Sequence, residues 1–100
     1  MLHTSEARFS RSQHTWTRPD GTKIKSVHHE VTVYGFDCGE IKWSSDEPER
    51  FLVRKNVTGW DDETRTVILP EWEEHDSLRA AKKRARSLAV WMYSKQAARR

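Results

Sequence analysis

The sequence predicts a small α+β domain: an antiparallel meander of four or five strands, with one C-terminal amphipathic helix packed on one face. Three observations lead there. Apolar residues alternate along Val27, Val31 and Val33, with His29 on the same face. Turn residues punctuate the chain at short intervals as far as Pro70. Beyond Pro70 the period changes, and Leu78, Ala81, Ala85, Leu88, Ala89 and Met92 fall on one helical stripe. At 100 residues the chain has room for a single core.

Residues 1–12 hold only Leu2 and Phe9 as large apolar side chains, which predicts a flexible N-terminal tail. The domain then runs over 13–100, with the sheet at about 13–69 and the helix at about 77–97. Pro19-Asp20-Gly21 predicts a turn, because Pro presets φ and Gly accepts a positive one; 13–18 and 22–27 become a hairpin. The alternation from Val27 to Val33 makes the next strand, half-buried. Asp37-Cys38-Gly39 reads as a turn, followed by a short strand with Ile41 and Trp43 on its core side. A polar loop with Pro48 leads to a strand marked by Phe51, Val53 and Val57. Thr58 to Thr64 reads as an acidic turn, and Arg65 to Leu69 as the last strand. Asp76 or Ser77 then caps the helix. Glu71, Glu73 and Glu74 place negative charge near its positive end, and the later turns carry cations.

Charge is divided along the chain. Residues 1–76 contain ten Lys or Arg and all fifteen acids, whereas 77–100 contain eight Lys or Arg and no acid. An ordinary exposed helix mixes signs for i,i+4 pairing. A helix without acids suits phosphates, and Arg predominates here, the better fork for them. The expected function is therefore a non-enzymatic binding protein that contacts DNA or RNA through Arg79, Lys82, Lys83, Arg86, Arg99 and Arg100. The competing explanation is a solvated helix whose cations complement an acidic sheet.

Five Trp exceed what a sheet with one covering helix buries easily. Trp43 belongs to the core by its strand face. Trp60, Trp72 and Trp91 are candidates for a protein-interaction surface, with folding back over the core edge as the alternative.

Other chemistry has little support. Neighbouring His28 and His29 point to opposite faces and cannot share a metal, and His29 reads as a core histidine. His28 and Glu30 share a strand face, the one proximity that could serve a small nuclease. Asp61, Asp62 and Glu63 lack the alternating spacing of a calcium loop. Cys38 is the only cysteine, which excludes an internal disulfide and a cysteine-based zinc site and fits a reducing cytosol. No cofactor motif is present. The longest apolar run, Leu88 to Tyr93, is too short for a membrane span, and the first fifteen residues have no signal-peptide core. Oligomeric state is not encoded legibly, although an open sheet edge offers a route to pairing with a second copy.

The short, cysteine-poor, Trp-rich and charged texture resembles small bacteriophage accessory proteins. That resemblance implies a partner such as a host protein or defence complex, which the protein would bind and inhibit. A small sheet plus a helix also resembles the arm-type DNA-binding domains of phage integrases. Those read DNA with the sheet, which here carries net acid.

Overall fold

Turn geometry sets the strand lengths. In the computed structural model, which describes residues 6–98, β1 (Ala7–Thr17) and β2 (Lys23–Val33) form a long antiparallel hairpin. Its turn is the expected one. Gly21 has φ +90° and donates to the Arg18 carbonyl, and the Asp20 carboxylate accepts from the Thr22 amide at 2.9 Å. The next turn differs from expectation. It falls at Tyr34 and Gly35, both at positive φ, which suits the twist of a two-residue hairpin. The strand β3 (Phe36–Ser44) therefore includes Asp37, Cys38 and Gly39, and Cys38 is fully buried within it. The register slips between Glu30 and Thr32 opposite this stretch. Gly39, at φ +139°, lies beside Val31 at that irregularity.

The polar loop leads to β4 (Phe51–Arg54), which pairs with β3. The strand expected at 65–69 does not extend the main sheet. Instead β5 (Gly59–Asp61) and β6 (Thr66–Ile68) pair with each other as a separate hairpin. The fifth place is taken by β7 (Trp72–His75), in the order β1-β2-β3-β4-β7. The architecture is thus a five-stranded antiparallel sheet plus one helix, α1 (Leu78–Ala98).

The first strand also begins earlier than expected. Residues 7–12, assigned by composition to a tail, form half of β1, anchored by buried Ala7 and half-buried Phe9. Residues 1–5 and 99–100 lie outside the described residues. No helix among the described residues is long and apolar enough to cross a membrane.

The core lies between α1 and one sheet face. Ala81, Ala85, Leu88, Ala89 and Met92 meet Val31, Val33, Cys38, Ile41 and Val53. The Ala-rich stripe lets the helix axis approach the sheet, and Met92 fills the space left. Ser77 is the cap: its side-chain oxygen accepts from the Ala80 amide at 3.1 Å. The expected dipole arrangement holds only at the C-terminal end, where Lys95 lies in the last turn. No acid lies in the first turn, because Glu73 and Glu74 belong to β7, and Arg79, Lys82 and Lys83 crowd the positive end.

The opposite sheet face carries a polar network. Arg54, only 5% exposed, donates to both Asp37 oxygens at 3.1 Å and to Glu40 at 3.2 Å. Glu40 also holds His28 Nε2 at 2.5 Å. The expected neighbour of His28, Glu30, does not meet it, because the cross-strand diagonal brings Glu40 closer.

Candidate nucleic-acid interface

The helix orientation decides where its cations go. Arg84 turns toward β7, where its Nε donates to Glu73 at 2.7 Å. Burial pushes the pKa of the Glu73 carboxyl up, but His75 and Arg84 outweigh it and hold that pKa below the ordinary value. Lys82 and Arg86 turn the other way, toward β1. The Lys82 ammonium lies 5.5 Å and the Arg86 guanidinium 4.9 Å from the Phe9 ring centre. Arg79, Lys83 and Arg86 follow one another at i, i+4 and i+7, all exposed.

The β1–β2 hairpin adds cations to this flank. Alternation from Val27 and His29 puts Lys23, Lys25 and Arg11 on the helix-covered face. Between residues 7 and 28 the hairpin carries Arg8, Arg11, Arg18, Lys23 and Lys25 against a single acid, Asp20. The acids gather elsewhere, on β7, the loop before β4, and the β5–β6 hairpin.

Pairing separates the two regions only in part, since Lys42, Lys55, Arg65 and Lys95 also have no carboxylate partner among the described residues. Arg18, Arg50, Arg54 and Arg84 are matched to carboxylates. Arg11, Lys25, Arg79, Lys82, Lys83 and Arg86 have no carboxylate partner among the described residues. A depression of about 410 Å³ on the opposite face is different: its Arg50 binds Glu47 and Glu74, and its Lys42 lies over Trp72.

Four of the six expected contact residues, Arg79, Lys82, Lys83 and Arg86, thus share the β1 side and outer surface of the helix; Arg99 and Arg100 lie outside the described residues. Sequence reasoning missed Arg11 and Lys25. The signal was present in the Pro-Asp-Gly turn, which sets the hairpin register that aligns both residues with the helix face.

The aromatic candidates separate. Trp60 is 56% exposed and stands opposite Val67, itself exposed, with exposed Leu69 one residue beyond β6. Trp91 is exposed, with Lys95 over its ring. Trp72 is half-buried in β7 under Lys42.

His29 is buried at 6% exposure on the basic flank. Its pKa is lowered, first by desolvation, then by the charges of Lys82, Arg11 and His28. A histidine with a depressed native pKa binds fewer protons than in the unfolded chain, whose value is about 6.5. Stability should therefore fall as pH drops through that value. The expected result is a lower urea midpoint at pH 5.5 than at pH 7.5, with the difference reduced in His29→Leu. An unchanged difference in the variant would assign the pH dependence to other groups.

No family model matches the chain, and neither a curated protein nor a solved structure matches it.

Proposed function

We propose that the protein is a non-enzymatic binding protein whose basic flank contacts nucleic acid. One observation carries the reading: six cations from α1, β1 and β2 gather on the helix-bearing side without carboxylate partners among the described residues. Cations at the first turns of α1 oppose its dipole and repel one another, and only Lys82 and Arg86 have a local contact with an aromatic ring, that of Phe9. A polyanion would offset both costs. The contact residues are Arg79, Lys82, Lys83 and Arg86, joined by Arg11 and Lys25, with Arg99 and Arg100 following in sequence.

The test is fluorescence anisotropy on labelled duplex DNA, single-stranded DNA and RNA over a salt series. With four helix cations on phosphates, log affinity should fall against log salt with a slope of about −3.6 on duplex. No binding at low salt would reject the reading.

The exposed Trp60, Val67 and Leu69 favour a second reading, in which the β5–β6 hairpin docks on a protein such as a host factor or defence complex. Asp61, Asp62 and Glu63 beside them would select a basic partner surface. Here Trp60→Ala would weaken capture of that partner, and salt-dependent nucleic-acid binding would be absent.

A further inference from the structure

At the foot of the helix, between α1 and the β1–β2 hairpin, lies a second depression of about 180 Å³. Its floor is apolar: Val27, Ile41 and Leu78, with the stacked rings of Trp43 and Phe51 at 6.2 Å between centres. Trp43 is held in place by its Nε1, which donates to the Pro48 carbonyl at 3.0 Å. Arg11 and Lys25, both exposed, stand among the lining residues, and no acid does.

His29 also lines this space. The residue is more than nine-tenths buried, yet neither ring nitrogen has a hydrogen-bond partner among the described residues; its one ring contact is edge-on to Phe9 at 6.4 Å. Arg54 Nε is the one buried side-chain nitrogen or oxygen without a partner among the described residues, so the His29 ring nitrogens reach solvent at the depression and are open to a ligand atom. Its depressed pKa keeps the ring neutral near pH 7, with one donor and one acceptor nitrogen.

Aromatic wall, neutral hydrogen-bonding edge and flanking cations match one chemical class. We propose that the depression takes a single unpaired nucleobase of a single-stranded nucleic acid, its ring against Trp43 and Phe51, its edge at His29 and its phosphate between Arg11 and Lys25. At about 180 Å³ the depression is smaller than the clefts of about 300–1,000 Å³ that take drug-sized ligands, which limits it to one ring system. Duplex bases are stacked and unavailable to such a site, whereas single strands present theirs to aromatic side chains. This inference deepens the nucleic-acid reading and rests on it.

The experiment uses the full chain with adenosine 5′-monophosphate, uridine 5′-monophosphate and inorganic phosphate as probes, read by NMR. Either nucleotide should saturably shift the Trp43 Nε1–H and His29 ring resonances, while inorganic phosphate leaves them in place. Arg11→Glu and Lys25→Glu change exposed side chains and should each weaken nucleotide binding by about tenfold or more. The triple variant Arg79→Glu, Lys83→Glu, Arg86→Glu should lose oligonucleotide binding and retain these shifts. Oligonucleotide binding without nucleotide shifts at Trp43 and His29 would overturn the proposal and leave the basic flank standing. Equal shifts with inorganic phosphate would overturn it too, since the base would then contribute nothing.

Discussion

Changing Arg79, Lys83 and Arg86 together to Glu is expected to abolish nucleic-acid binding at physiological salt. Each side chain is exposed and none has a carboxylate partner among the described residues, so the fold should lose little beyond the Arg86 contact with the Phe9 ring. Acids in the first half of α1 would complement its dipole, so the variant should be at least as stable as the parent. Binding should respond in the opposite direction. Converting three of the four helix contacts to repulsions leaves one helix cation, and the helix share of the salt slope should shrink from about −3.6 to about −0.9 before binding disappears. The matched control is Arg84→Glu. It changes the same charge on the same helix but faces Glu73 on the far flank. Its affinity should fall far less, measured by anisotropy at equal salt. A loss equal to that of a single flank substitution would mean that net charge, rather than placement, governs binding.

The largest effect on stability is expected from Ile41→Ala. Ile41 has no exposed surface and lies in β3 within the core shared by the sheet and α1. Its register neighbours are His29 on β2 and Val53 on β4, both buried. Truncation removes buried methyl and methylene groups in a space that neighbouring strands cannot easily close. The expected cost is about 2–5 kcal/mol, a large part of the total for a domain of this size. Urea unfolding should show a lower midpoint at an unchanged slope. A loss under about 1 kcal/mol would mean that the helix packs on the sheet less tightly than the buried positions imply.

How much was legible beforehand depended on whether side chains repeat with a period. Ala81, Ala85, Leu88, Ala89 and Met92 recur helically, so α1 was found close to its bounds, whereas the arm expected at 22–27 and the strand expected at Val27–Val33 are one strand, β2. The first half of β1 was not legible. As an edge strand it exposes Ser10, Arg11 and Ser12, and only Ala7 and Phe9 mark its core face. β7 was hidden for a related reason. Trp72-Glu73-Glu74-His75 reads as an acidic linker until Arg84 and Arg50 supply the partners of its carboxylates. The Tyr34–Gly35 turn was displaced in the sequence reading by a stronger turn signal at Asp37-Cys38-Gly39, which the sheet instead absorbs at a register irregularity.

The candidate site divides in the same way. The helix cations are contiguous in sequence and visible as a run without acids. The depression at the helix foot draws Arg11 from β1, Lys25 and His29 from β2, Trp43 from β3, Phe51 from β4 and Leu78 from α1. No linear motif records such a set, because strand register alone brings it together.

The most direct test of the basic flank is residue-resolved. Amide chemical shifts of the full chain would be followed while a short single-stranded oligonucleotide is added at low salt. The account predicts shifts concentrated at Arg79–Arg86, Phe9–Arg11 and Lys25, reversed by added salt, with Trp60–Glu63 and Glu71–Glu74 unmoved. Absence of shifts at low salt, or shifts centred on the β5–β6 hairpin, would contradict it.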